Sequence, residues 1–325
     1  MEYTYLGKSG MRVSRLCLGT MNFGPTTDEK EAFRIMDAAL DAGINFFDTA
    51  NMYGFRPDTG FNQRGLTEEI IGRWFKTGGN RREKTVLATK VFAEMNDAND
   101  GPNDCPGYSA YKIRRHLEGS LKRLGTDHIE IYYMHGYDPN CTWTEAWGAF
   151  EREINQGKVD YIASSNFSLE NIVEAQRTAD ERHFLGLVAE QHRYNLLARD
   201  PESELFPTAQ KLGVGIVVFS PLMGGMLSGS IVNGIEAGGR SNKFAKSLSE
   251  SQFEQLNAYS SLCKELGESE SNVALAWILR NPAVTAPIIG PRTVEQFEQS
   301  LRAVEIDLPE DFVKELDKLF APGTT

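Results

Sequence analysis

Asp48, Tyr53, Lys90 and His135 are residues whose types, taken together, could polarise a carbonyl group. A phenol has a pKa of about 10 and is a poor acid at neutral pH. A neighbouring ammonium stabilises the phenolate and lowers that value, so Lys90 is expected to tune Tyr53. Asp48 would keep Lys90 charged and oriented, and His135 would hydrogen-bond a substrate oxygen and fix its position. Such a set forms an electrophilic pocket aimed at a carbonyl oxygen. No Ser or Cys beside a His suggests an activated nucleophile. Glu190 lacks a second strand-end acid in a suitable setting, which argues against a two-carboxylate glycosidase.

These residues lie far apart in sequence, so the fold must bring them together. Short β-rich runs recur at Arg15–Thr20, Asn45–Thr49, Thr85–Lys90, Ile129–His135, Val159–Ser164, Leu187–Gln191, Gly213–Ser220 and Val284–Gly290. Runs such as Ile216-Val217-Val218-Phe219 are apolar on both faces, as in a parallel sheet covered on both sides. Helix-period segments separate them. Asp28–Ala42 carries apolar residues at Ala32, Ile35, Met36, Ala39 and Leu40 and stops at Gly43. Thr67–Phe75, Ser109–Leu124 and Ser168–Ala179 read the same way, the last opening on a Ser N-cap. Eight strand–helix units favour an α/β fold of the (β/α)8 type, a TIM barrel, with 1–325 as one domain. No GxGxxG follows the first strand, against a Rossmann domain. In a barrel, chemistry gathers where the strands end. Strand two ends at Asp48 with Tyr53 just beyond, strand three at Lys90 and strand four at His135.

Three segments fall outside the repeat. Residues 3–14 read as a hairpin around Gly7-Lys8-Ser9-Gly10 that would plug the barrel bottom. Residues 221–250 are long and glycine-rich (Gly224, Gly225, Gly229, Gly234, Gly238, Gly239), as a cofactor or substrate lid would be. Glu310–Phe320 reads as an extra C-terminal helix.

With 45 acidic against 34 basic residues, the net charge is −11. No basic stripe suggests a nucleic-acid or anionic-membrane partner. A phosphorylated ligand would need local donors against this field. Cys17, Cys105, Cys141 and Cys263 form no CxxC pair and no zinc-type spacing, so no metal is expected. Cys17, in an apolar run, reads as a buried thiol. The N-terminus has no secretory signal pattern and no run of about 20 apolar residues is present. A cytoplasmic protein with reduced thiols is expected.

The tetrad stands with Phe47-Asp48-Thr49-Ala50…Tyr53-Gly54, Gly157-Lys158-Val159…Ser164-Ser165-Asn166-Phe167 and Tyr194-Asn195-Leu196-Leu197. In that combination the chain resembles the aldo-keto reductase superfamily over nearly its whole length. The resemblance implies a (β/α)8 barrel that transfers hydride from NADPH without a metal. It makes Tyr53 the general acid, Lys90 and Asp48 its tuning pair, and His135 the carbonyl orienter. It assigns Ser165, Asn166 and Gln191 to the nicotinamide carboxamide, and Phe219 to the ring stack. Ser220, Pro221, Leu222 and Gly224 match the pyrophosphate stretch. Gly290, Arg292, Gln296 and Ser300 match the adenosine end. There a helix N-terminus is an anion site, and the planar fork of Arg292 suits a ribose 2′-phosphate. Ser300 stands where relatives usually carry Asn, and Ala163 where glycine is more usual.

Met21, Phe23, Phe92 and Trp143 follow strands one, three and four and are candidates to line the substrate pocket; each is equally suited to packing. His116, His128, His183 and His192 read as structural. The substrate is expected to be a small-molecule carbonyl compound, such as a keto-sugar or another hydroxylated ketone. Met21-Asn22-Phe23-Gly24 and Gly290-Pro291-Arg292-Thr293 resemble actinomycete-type members, some of which act on nucleotide-linked deoxysugars, including keto or enone sugars. Two alternatives stay open: reduction of a conjugated C=C bond, and a non-catalytic, cofactor-binding regulatory subunit. His135 speaks against the steroid form of the first, which commonly places Glu there. No oligomeric state can be read from the sequence.

Overall fold

The computed structural model describes residues 1–56, 60–234 and 248–321. The chain opens with the antiparallel hairpin β1 (Tyr3–Tyr5) and β2 (Arg12–Ser14), then runs β3 (Cys17–Gly19), α1 (Glu29–Asp41), β4 (Phe46–Asp48) and a second small hairpin, β5 (Phe55–Arg56) and β6 (Phe61–Asn62). It continues α2 (Leu66–Lys76), β7 (Val86–Val91), α3 (Ala110–Leu124), β8 (Ile129–Met134), α4 (Trp143–Asn155), β9 (Val159–Ser165), α5 (Leu169–Glu181), β10 (Leu187–Arg193), α6 (Leu205–Leu212) and β11 (Gly215–Phe219). Two helices follow, α7 (Glu250–Leu266) and α8 (Glu270–Arg280), then β12 (Val284–Ile289), α9 (Val294–Leu301) and α10 (Glu310–Leu319).

Strands β3, β4, β7, β8, β9, β10, β11 and β12 pair in parallel in that order, and β12 closes onto β3 through Ile288–Cys17 and Ile289–Leu18. This is the (β/α)8 barrel that the strand–helix alternation predicts. The helices begin and end where their sequence signals stand. Asp28 and Ser168 accept from the backbone N–H groups of Glu31 and Asn171, satisfying donors that the first turn leaves unpaired. Gly125 ends α3 with φ 66°, a conformation that costs glycine little.

The barrel interior is filled by Cys17, Phe46, Ala88, Ile131, Tyr133, Ala163, Val217 and Ala286, small residues facing large ones. Leu6 and Val13 of the first hairpin join this cluster, so the hairpin does plug the barrel bottom. The larger apolar layer lies between strands and helices, where Ile35, Met36, Trp74, Leu117, Trp147 and Phe150 are fully or nearly fully buried.

Three elements differ from the sequence expectation. The β5–β6 hairpin and a short helical segment, Ala98–Asn103, stand where the sequence suggested no element. The 221–250 stretch is partly helical. It turns through Met223–Ser228, and Ser249 and Gln252 form a reciprocal capping box that starts α7. Residues 235–247, with Gly238 and Gly239, lie outside the described residues, and so does that part of the expected lid. The unit between β11 and β12 holds both α7 and α8; α10 packs against α7, with Tyr259 and Phe320 edge to face at 5.5 Å. Among the described residues no helix is long and apolar enough to cross a membrane.

Gly7 makes the plug possible. Its φ is 55°, and a Cβ there would run into the carbonyl oxygens of Val188 and Gly213, while Lys8 N–H donates to Gly213 O at 2.6 Å. A Gly7→Ala variant is therefore expected to lose on the order of 1–3 kcal/mol of stability through overpacking and strain. Urea unfolding would read this as a lower midpoint with an unchanged m-value; an unshifted midpoint would contradict the close approach.

Candidate active site

Lys90 has no exposed surface and lies on β7 between β4 and β8. A buried ammonium needs acceptors for its three N–H bonds. Lys90 Nζ donates to Asp48 Oδ1 at 2.5 Å, to the Thr49 carbonyl at 2.8 Å and to Tyr53 Oη at 3.2 Å. The second oxygen of Asp48 accepts from Gln191 Nε2 at 2.7 Å. Asp48 is thus held on both sides, from β7 and from β10, and this second link was not foreseen in the sequence.

Tyr53 reaches Lys90 because the chain turns tightly after β4. Its N–H donates to Ala50 O, and its carbonyl accepts from Gly65 N–H. Gly54 has φ 105°, and a Cβ there would strike the Gln63 carbonyl oxygen, so the turn out of Tyr53 requires glycine. His135 follows β8. Its N–H donates to Val91 O at 2.9 Å, and its ring stands edge-on to that of Tyr53 with centroids 6.1 Å apart. All four predicted residues therefore meet at the C-terminal mouth.

Their electrostatics differ from the sequence expectation in one respect. Burial raises the Tyr53 phenol above its ordinary value; Lys90 opposes this but does not outweigh it. Two of the three Lys90 donors serve Asp48 and Thr49, which leaves one for the phenol. Tyr53 is therefore a protonated donor at neutral pH. Burial works against the charge of Lys90, yet the carboxylate of Asp48 above all holds its pKa above the usual lysine value. Burial, and then the charge of Lys90, push His135 down to about 3, so its imidazole is neutral at pH 7.

The residues assigned to a cofactor line one side of the mouth. Gln191 and Ser165 are register partners on β10 and β9. Asn166 has φ 62° and donates from Nδ2 to Ser165 Oγ at 2.9 Å and to the His135 carbonyl at 3.2 Å. Phe219 ends β11 half-buried. Ser220, with φ 53°, is held by Asn195 Nδ2, which donates to its carbonyl at 2.9 Å; Pro221 is buried, Leu222 is half-buried, and Gly224 has φ 65°.

At the start of α9 the backbone is already engaged. Arg292 N–H donates to Gln296 Oε1 at 3.0 Å, Val294 N–H to Glu31 Oε1 at 2.8 Å, and Gln296 N–H to Thr293 Oγ1 at 3.3 Å. Side chains of the protein thus serve these three N–H groups. Gly290 O accepts from Asn22 Nδ2 at 2.8 Å, and the Ser300 hydroxyl folds back onto the Gln296 carbonyl at 2.8 Å.

The apolar candidates separate. Met21 is exposed at the rim. Phe92 is half-buried, against Gly136 and 6.4 Å from the Tyr108 ring. Trp143 is half-buried in an aromatic stack, 5.5 Å from Trp147 and 6.1 Å from Phe167. Phe23 is fully buried, in keeping with the packing alternative for it. His116, read as structural, is buried between Asn51 Nδ2 (3.1 Å) and Asp100 Oδ2 (3.2 Å). Among the described residues, Asp100, Asp104 and His116 could bring three ligand atoms within 4.8 Å of one another. Arg115 pairs with Asp100, and Met95 N–H donates to Asp104 Oδ1, so protein donors already serve both carboxylates.

A model of the aldo/keto reductase family matches residues 15–321. The chain is similar to the uncharacterized oxidoreductase YrpG of Bacillus subtilis (strain 168), with 59% identity covering 99% of this chain and 97% of that one. It is 35% identical to a probable voltage-gated potassium channel subunit beta of Oryza sativa subsp. japonica, covering 94% and 92%. It is 31% identical to an L-glyceraldehyde 3-phosphate reductase of Escherichia coli O157:H7, covering 99% and 93%.

Two outcomes follow from this geometry. Lys90→Met would strand Asp48 as a buried charge without its cation, at a cost of about 3–5 kcal/mol. Adding Asp48→Asn should recover most of that loss in chemical denaturation; an additive double variant would deny the coupling. His135 is held neutral in the fold but titrates near 6.5 when unfolded. Its contribution is complete above pH 6.5 and is lost as pH falls from there toward about 3. Wild type should therefore lose more stability over that window than His135→Gln, and parallel pH profiles would refute this.

Proposed function

The chain belongs to the aldo/keto reductase family, and on that premise we propose that it reduces a ketone or aldehyde to the alcohol with NADPH, Tyr53 giving the proton. As a member of that family it is an NAD(P)-dependent oxidoreductase. The observation that carries the reading is the chain of contacts from Asp48 through Lys90 to the Tyr53 hydroxyl, at 2.5 and 3.2 Å.

In this reading the substrate oxygen accepts from the Tyr53 O–H and from an N–H of neutral His135. When Tyr53 releases its proton, the phenolate meets a Lys90 N–H already pointed at it, so little reorganisation is needed. Asp48 keeps that lysine charged throughout. The cation thus favours the state with charge on the phenol oxygen, the one that develops during transfer.

NADPH supplies the hydride when bound. The donor set suits it: a carboxamide offers both an acceptor and donors, and Ser165, Gln191 on the adjacent strand and Asn166 in the turn beyond present both kinds. Phe219 offers a half-buried ring for stacking. Ser220, Pro221, Leu222 and Gly224 would follow the pyrophosphate, and Gly290, Gln296 and Ser300 the adenosine. Because side chains engage the α9 amides, the preference for the 2′-phosphate rests on the Arg292 guanidinium. Met21, Phe92 and Trp143 would border the substrate. A keto-sugar or another hydroxylated carbonyl compound is the proposed class, supported by the relative named for a hydroxylated aldehyde.

The relative named as a channel subunit supports a second reading, cofactor binding without turnover. Titration of protein fluorescence with NADPH and NADH, then a panel of aldehydes, diketones and keto-sugars, separates the two. Tyr53→Phe should bind NADPH as wild type does, while kcat falls roughly 10²–10⁴-fold. NMR of the product distinguishes an alcohol from a saturated ketone. Wild-type turnover by Tyr53→Phe would refute its role, and binding with no oxidation across the panel would favour the second reading.

A further inference from the structure

Glu190 carries a carboxylate with no exposed surface, one residue before Gln191 on β10. Successive side chains on a strand point to opposite faces. Gln191 reaches Asp48, whereas Glu190 turns to the end of β9. Its Oε2 accepts from the Ser164 hydroxyl at 2.5 Å, and its Oε1 from the Phe167 N–H at 3.0 Å. His192 Nδ1 lies 3.3 Å from Oε1.

Between the two anchored residues stand Ser165 and Asn166. Asn166 is in the left-handed region, at φ 62°, which asparagine adopts more readily than most residues. Its backbone N–H donates to the Gln191 carbonyl at 3.1 Å. The turn is therefore gripped before, within and after the pair, and Glu190 makes the grips on either side. Burial raises the Glu190 carboxyl, and contacts with His192, Ser164 and Phe167 pull against that rise. An apolar side chain would fill this space without the desolvation cost, but it could not fix the directions of Ser164 and Phe167.

We infer that Glu190 is a positioning residue for the nicotinamide end of the cofactor, clamping residues 164–167 so that Ser165 and Asn166 meet the carboxamide in one geometry. The inference rests on the proposed reading of Ser165, Asn166 and Gln191 as the carboxamide contacts. It assigns Glu190 no contact with cofactor or substrate.

The test compares full-length Glu190→Leu, Glu190→Gln, Ser164→Ala and Asn166→Ala with wild type, each checked for folding by thermal melt. Dissociation constants are read by fluorescence titration for NADPH, NADH and 2′,5′-ADP, which lacks the nicotinamide. Glu190→Leu removes both acceptors and should weaken NADPH and NADH by the same factor, about tenfold, the equivalent of one charged hydrogen bond. The affinity for 2′,5′-ADP should not change. Glu190→Gln should stay within about twofold of wild type, because its amide can accept from Phe167 N–H and donate to Ser164 Oγ. Ser164→Ala should shift both dinucleotides in the same direction by about threefold, and it carries the test if the Leu variant does not fold.

Unchanged dinucleotide binding by the folded variants, or a loss for 2′,5′-ADP equal to that for NADPH, would overturn the inference; the second result would mark a purely structural role. Asn166→Ala separates the two levels. If it weakens NADPH while the Glu190 and Ser164 variants do not, only the positioning role fails. If it leaves NADPH binding unchanged, the carboxamide reading falls and the inference falls with it.

Discussion

A lysine ammonium enclosed inside a barrel must find a partner for every N–H bond, since an unpaired charge there costs several kcal/mol. Lys90 meets that demand with one carboxylate, one backbone carbonyl and one phenol. Each acceptor fixes a different part of the chain: Asp48 the end of β4, the Thr49 carbonyl the path out of it, and Tyr53 the turn beyond. The sharp departure at Gly54 and the returning contacts from Gly65 N–H to Tyr53 O follow from holding that phenol in place. Much of the local architecture on this side of the mouth thus answers the requirements of one buried cation.

The same cation sets the protonation states around it. It keeps His135 neutral, adding to what burial does, and it limits how far burial can raise Tyr53. Both side chains therefore stand at neutral pH as uncharged hydrogen-bond donors. The positive charge remains on Lys90, beneath the point where negative charge would develop on an oxygen. A doubly charged mouth, with imidazolium beside ammonium, would add like-charge repulsion at short range.

The sequence made the barrel legible because its signals are periodic and local: apolar runs, Ser and Asp caps, and glycine stops at strand–helix spacing. Asp48, Tyr53, Lys90 and His135 were legible as a set because each stands at or just beyond a strand end. The sign of the Tyr53 shift was not, because it depends on how Lys90 divides its donors and on how much water the site excludes, which are three-dimensional quantities. Phe23 suited either a pocket wall or the packed interior, because sequence position does not tell which way a loop side chain turns. The engagement of α9 by Glu31 was hidden because residues 31 and 294 meet only across the helical layer.

Glu190 and Gln191 extend the point about what local pattern encodes. They are adjacent in sequence, and strand alternation sends one inward and the other outward. The register pairs Glu190 with Ser164 and Gln191 with Ser165, so two consecutive rungs between β9 and β10 carry different duties. The inner rung runs from Gln191 to Asp48 and so to Lys90 and Tyr53. The outer rung runs from Glu190 to Ser164 and Phe167, around the turn that presents Asn166. A slip of one residue in this pairing would exchange the two faces and break both connections at once. The register of one strand pair therefore couples the proton-donating side of the mouth to its proposed cofactor side, and Gln191, bound to Asp48, belongs to both.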